Sequence, residues 1–217
     1  MAASQLSLYN GACRLLGEAR LQSLAENREA RYLLDDVWAD GAGLIQAVLE
    51  QGFWYFAVRT SKLGYDTSLT PNFGYRSAFE KPSDWVRTVG VCQDEYFLVP
   101  LTQFTDEAGY LYTDLQTIYF RYVSNGPTYG GNLALWPQTF VLATEGYMAE
   151  RIVRKLTAGD EKKVMAIQKE AKRLMNDARS KVAMNESAAF LPVGSWVRGR
   201  WGNRSTNDQG GQNSLIG

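Results

Sequence analysis

Three pairs of neighbouring carboxylates, Asp35 with Asp36, Asp94 with Glu95, and Asp106 with Glu107, are the side chains best suited to chemistry in this chain. Two carboxyl groups held at different proton affinities can act as acid and base in glycoside hydrolysis. Adjacent positions on a helix or strand point in different directions, however, so these doublets read better as solvated faces and turns. The chain has no histidine, which removes the commonest general base and metal ligand, and with it histidine triads and most zinc sites. Gly130 with Gly131 and Gly210 with Gly211 lack the strand-to-helix spacing of a phosphate-binding loop. Cys13 and Cys92 stand far apart without metal spacing and read as buried free thiols of a reducing compartment. Neither catalysis nor a cofactor nor a metal is expected.

The residues that stand out instead are built for contact. Trp196 and Trp201 sit among Arg198, Arg200 and Arg204 in a stretch, 187–217, otherwise rich in Gly, Ser, Asn and Gln. Burying each tryptophan is worth roughly 1.5–3 kcal/mol, whereas ordering each backbone residue costs about 1–2 kcal/mol, so such a tail docks firmly only where many copies engage together. Charge is also unevenly spread. Residues 1–149 hold 10 basic and 16 acidic side chains and residues 150–204 hold 13 and 6, so an acidic body carries a basic end able to meet a like chain or an acidic partner. Lys162, Lys163, Lys169, Lys172, Arg173, Arg179 and Lys181 line the basic end, but Glu161, Glu170 and Asp177 interleave with them, which fits an exposed helix with ordinary ion pairs better than a DNA reader.

The positioning elements follow from periodicity. Leu8, Ala12, Leu15 and Leu16 predict a first helix stopped by Gly17. From Asn27 as cap, the three-four alternation from Ala30 to Leu49 predicts one amphipathic helix of about six turns reaching Gly52, with a bend allowed at Gly41 and Gly43. Strands are expected at 53–58, 75–79, 85–91, 96–99, 110–112 and 117–122, with a hairpin turn at 106–109. Helical patterns return at 136–157, with Pro137 in the opening turn, and at 160–182, with Asp160 as cap. The expected fold class is α+β: an antiparallel helical bundle (1–52 and 133–186) with a small antiparallel β subdomain (53–132) inserted and an extended docking tail (187–217). The opening residues carry no basic and apolar run of the secretory kind, and charges interrupt the longest helical pattern, so neither a signal peptide nor a membrane span is expected.

Several blocks carry a resemblance. Leu8, Tyr9, Asn10, Ala12, Leu15, Leu16, Gly17 and Glu18, then Arg20, Leu21, Ser23, Leu24, Glu26 and Asn27, are followed by Leu49, Glu50, Gln51, Gly52, Phe53, Trp54, Phe56 and Ala57. Phe79, Lys81, Pro82, Asp84, Trp85, Val86 and Arg87 come next, then Asp114, Thr117, Ile118, Tyr119, Arg121 and Tyr122, and last Trp136, Pro137, Ala149 and Ile152. In this order, to about residue 156, the chain resembles the head-to-tail adaptor proteins of podoviruses, the tail tubular protein A type. The resemblance implies a non-enzymatic, structural protein of the virion neck, assembled in the host cytoplasm. It implies a homo-oligomeric, twelve-membered ring between the portal protein and the tail nozzle protein, with genomic DNA passing through the lumen without sequence-specific binding and no membrane contact. In such a ring Lys162, Lys163, Lys169 and Arg173 would pack against an acidic neighbour, while the Trp196, Arg198, Arg200, Trp201 and Arg204 set would dock on the portal or a neighbouring subunit. Two alternatives stand beside it: a carboxylate-based cell-wall hydrolase, and a DNA-binding protein that uses the basic helix and tail.

Overall fold

The computed structural model describes residues 3–41, 43–71 and 74–184. Helix α1 (Gln5–Leu16) opens with a reciprocal cap, in which the Ser4 hydroxyl accepts the Ser7 amide and the Ser7 hydroxyl accepts the Ser4 amide, and it closes on Gly17 in the left-handed conformation. The single long helix expected over 27–52 is instead two, α2 (Glu29–Ala39) and α3 (Leu44–Leu49). Gly41 and Gly43 adopt φ of 59° and 93°, which no continuing right-handed helix allows, so the glycines end α2 rather than bend it. Apolar spacing could not reveal this, because it persists on both sides of the break. Arg28, not Asn27, occupies the N-cap of α2 without a side-chain cap bond. Asn27 instead accepts the Tyr32 hydroxyl at 2.8 Å.

The aromatic run at 53–58 is a correction of a second kind. Tyr55–Ala57 is a 3-10 turn, and the strand β1 begins only at its end (Val58–Gly64). Five further strands follow: β2 (Ser77–Glu80), β3 (Trp85–Cys92), β4 (Thr105–Glu107), β5 (Tyr110–Thr113) and β6 (Thr117–Ser124). The segment 96–99, expected as a strand, is a loop. The described strands form two antiparallel three-stranded sheets, ordered β1-β6-β3 and β2-β5-β4. In the hairpin β4–β5, Glu107 pairs with Tyr110, and the two turn residues Ala108 and Gly109 both take positive φ, 50° and 88°. That matches the right-handed twist of the strands it joins.

After a short 3-10 turn (Leu133–Leu135), α4 (Gln138–Leu156) starts directly behind Pro137, which serves as its N-cap, and α5 (Glu161–Met184) follows. The Asp160 carboxylate accepts the amides of Lys162 and Lys163 at the head of α5, as a cap should. Helix α4 packs against α5, α1 and α2. The apolar faces of all five helices share one core with Trp54, Ala57, Val86, Val123 and Trp136. A second cluster, Phe79, Val91, Leu101, Leu111, Ile118, Phe120 and Tyr122, is filled from both sheets. Strand β6 serves both clusters because its side chains alternate: Ile118, Phe120 and Tyr122 enter the second, and Val123 enters the first. Two register shifts in β3 against β6, around Val86 and Val89, similarly aim those valines at the helix-side core.

An aromatic group joins helices to sheet. The Phe140 ring lies 4.6 Å from Trp54, 4.9 Å from Phe56 and 4.7 Å from Trp136, each edge to face. Both indoles are satisfied while buried, Trp54 Nε1 donating to the Leu49 carbonyl at 3.2 Å and Trp136 Nε1 to the Gly130 carbonyl at 2.9 Å. The described residues belong to one compact unit; the expected tail, 187–217, lies outside the described residues. No helix among the described residues is long and apolar enough to cross a membrane.

Candidate functional site

The described residues present surfaces, and α5 supplies a charged one. Val164, Ala171, Met175, Ala178 and Val182 turn into the core, so the 3.6-residue period leaves Lys162, Lys163, Lys169, Lys172, Arg173, Arg179 and Lys181 exposed on the opposite side. Arg173 is committed within its own helix, with bonds of 2.9 and 2.6 Å to Glu170 and of 2.9 Å to Asp177. Among the described residues none of the other six cations has a carboxylate within ion-pair distance. Lys162, Lys163 and Lys169 are thus free to meet an acidic partner, and Arg173 is not. Trp196, Arg198, Arg200, Trp201 and Arg204 lie outside the described residues.

The carboxylate doublets do not converge on a reacting centre. Asp35 accepts the Tyr9 hydroxyl at 2.8 Å and pairs with Arg31, while Asp36 faces solvent. Asp106 holds Lys81 at 2.6 and 2.8 Å, and Glu107 is exposed. Asp94 accepts the Leu98 and Val99 amides at 2.9 and 2.8 Å, and these bonds, led by that from Leu98, hold its carboxyl below the ordinary range. In each pair one member fastens local structure and the other points to water.

Asp94 thereby builds a feature that periodicity misread as a strand. The Gln93 amide donates to the Val99 carbonyl at 3.1 Å and Leu101 donates to Val91 at 2.8 Å, closing a loop whose turn residue Phe97 has φ of 58°. The Phe97 ring folds back under the Arg121 guanidinium at 4.0 Å. With Phe97 drawn inward, Tyr96 and Leu98 project into solvent, 74% and 78% exposed, beside Val99 at 50%. Glu95 stands exposed next to them. A second surface feature is a groove of about 480 Å³ lined by Gln51, Tyr147, Ala171, Lys172, Met175 and Arg179, among others.

One part-buried carboxylate, Asp84, and one buried one, Glu145, went unrecognised in the sequence. Asp84 accepts Arg59 at 3.0 Å, the Tyr122 hydroxyl at 2.9 Å and the Ser124 hydroxyl. Burial opposes its ionisation, but these three donors outweigh burial and hold the carboxyl below its ordinary value. Glu145 sits on the inward stripe of α4, between Val141 and Met148, and its side chain is 7% exposed; its one charged partner, Arg14 at 3.1 Å, is 70% exposed. The Glu145 carboxyl rests over Gly11 so closely that a Cβ there would lie 1.9 Å from its Cδ, which is why α1 carries glycine at this position. The i, i+4 spacing from Val141 to Glu145 to Ala149 was the available signal: an acid in an apolar stripe.

Burial pushes the Glu145 carboxyl up, and Arg14 only partly offsets it. The folded chain therefore binds this proton more tightly than the unfolded chain, and stability falls as pH rises from the ordinary carboxylate value, about 4.3, through the raised folded one. Glu145→Gln is expected to flatten that part of the stability curve while keeping the shape of the site. Denaturant midpoints measured from about pH 4 to 8 check it; an unchanged slope in the variant would rule out Glu145 as its source.

Cys13 and Cys92 are both buried and free, as expected. Desolvation raises both thiols above their ordinary value, so neither has the character of a reactive thiolate. Comparison with models of known protein families gives no match, and comparison with characterised proteins gives none either.

Proposed function

We propose that this protein is a structural head-to-tail adaptor of a tailed bacteriophage, a ring of about a dozen copies that joins the portal to the tail nozzle and lets DNA pass. The reading rests on the ordered sequence blocks. Its principal structural support is the unpaired basic face of α5 on a chain whose body is acidic, since heterologous rings need two unlike, complementary surfaces on each subunit. In this reading the helices around α4 act as a bundle that carries the β region as an insertion. The carboxylate doublets, tied into local structure, give the hydrolase alternative no constellation to work with, and the exposed α5 cations alone favour the DNA-binding alternative.

The test is stoichiometric. Quantitative mass analysis of purified virions is expected to find about twelve copies per particle; a chain missing from virions would end the proposal. Removing residues 187–217 is expected to leave the helices and sheets folded, by circular dichroism, while abolishing attachment to portal-bearing capsids. Normal attachment of the shortened chain would show that the tryptophan and arginine tail has no docking role.

A further inference from the structure

We infer that the Tyr96, Leu98 and Val99 ridge of one copy seats in the α4–α5 groove of the next. This deepens the ring reading and rests on it, by naming the two unlike surfaces that meet. The ridge is preformed: Asp94 fixes the Leu98 and Val99 amides, and Phe97 is pinned against Arg121. Little conformational freedom is therefore left to lose on contact, which is the condition under which exposed apolar side chains bind well. Two of its three side chains are three-quarters exposed, so the ridge is not seated in the groove of its own chain. Three large apolar side chains within four residues on a fixed loop also differ from the scattered exposure that is normal for a monomer.

The groove is the complementary part. Ala171, Met175 and Tyr147 give it apolar surface among the polar Gln51, Gln168 and Asn176, and its volume of about 480 Å³ has room for the ridge side chains. Lys172 and Arg179 line it without ion-pair partners among the described residues and outnumber the one acid in the lining, Glu150. The ridge carries the opposite sign, Asp94 and Glu95, with Glu95 exposed and in no ion pair among the described residues. The ridge side chains meet Ala171, Met175 and Tyr147, Glu95 meets the cations Lys172 and Arg179, and because ridge and groove are different surfaces of one chain the contact propagates from copy to copy, closing a ring when the rotation allows.

Sedimentation velocity and light scattering on the full chain, up to about 1 mM, test the contact. Leu98→Asp is expected to weaken self-association by at least about tenfold. Glu95→Lys and Lys172→Glu are each expected to weaken it by up to about fivefold, and the two together to recover most of the loss. All three positions are exposed, so circular dichroism should show unchanged folding. As a second readout, a chain with Leu98→Cys mixed with one carrying Asn176→Cys is expected to give a bismaleimide-linked pair. Wild-type assembly untouched by Leu98→Asp, or a wild-type chain that stays monomeric and yields no linked pair, overturns the seating. So does weakening by Glu95→Lys and Lys172→Glu with no recovery in the double variant. None of these results alters the copy number in virions, so the seating and the ring reading fall separately.

Discussion

Phe140→Ala is expected to destabilise the protein by about 3–5 kcal/mol, the largest effect of any single truncation considered. Phe140 is fully buried and its ring is the common partner of Trp54, Phe56 and Trp136. Removing it leaves a cavity among large rigid rings that cannot collapse into the space, and it forfeits three edge-to-face contacts beyond the area lost. The site also lies where α4 meets the chain entering β1, so the loss loosens the attachment of helices to sheet as well as the core. Guanidinium unfolding followed by tryptophan fluorescence checks it: the midpoint should fall with little change in slope. Phe140→Leu, which keeps most of the volume, should lose much less. An alanine variant within about 1 kcal/mol of the parent would show that these aromatics repack freely.

Asp84→Ala should destabilise by about 2–4 kcal/mol, because the Tyr122 and Ser124 hydroxyls and the Arg59 guanidinium lose a shared acceptor in a part-buried site. Tyr122 and Ser124 lie on the central strand β6 and Arg59 on β1, so one carboxylate ties the turn before β3 to the other two strands of its sheet. Its pH signature has the opposite sign to that of Glu145. A carboxyl lowered by folding contributes stability that is complete above its unfolded value, about 3.9, and is lost as pH falls through the lower folded value. The parent should therefore lose stability in acid more steeply than Asp84→Ala, and parallel acid limbs in thermal unfolding at pH 2–5, roughly the carboxylate range, would contradict the assignment.

In the proposed neck role such ties would matter mechanically. A ring subunit that transmits load between a capsid and a tail must keep its helices and sheets in register, and the Phe140 cluster and the Asp84 hub are two places where several elements are fastened by a single side chain.

Much of this architecture was legible in the sequence. The first helix with Gly17 as its stop, the two C-terminal helices with Pro137 and Asp160 at their heads, the hairpin at 106–109 and four of the strands follow from local rules, since periodicity and capping chemistry act within a few residues. The failures were also local in appearance but not in cause. Apolar periodicity from Ala30 to Leu49 continued across Gly41 and Gly43, yet backbone conformation there overrode it. The aromatic run around Trp54 looked like a strand because aromatics favour sheets, while tertiary burial against Phe140 drew it into a 3-10 turn.

The sequence by itself determined the first helix, the two C-terminal helices, the hairpin and four of the strands, that no histidine chemistry is available, and that charge divides into an acidic body and a basic end. Only the tertiary structure decided that Glu145 is buried over Gly11, that Asp84 gathers three donors from two strands, and that residues 94–99 lift Tyr96 and Leu98 into solvent. Those outcomes depend on which distant segments come together, and pairings such as Arg14 with Glu145, 131 residues apart, leave no periodic trace along the chain.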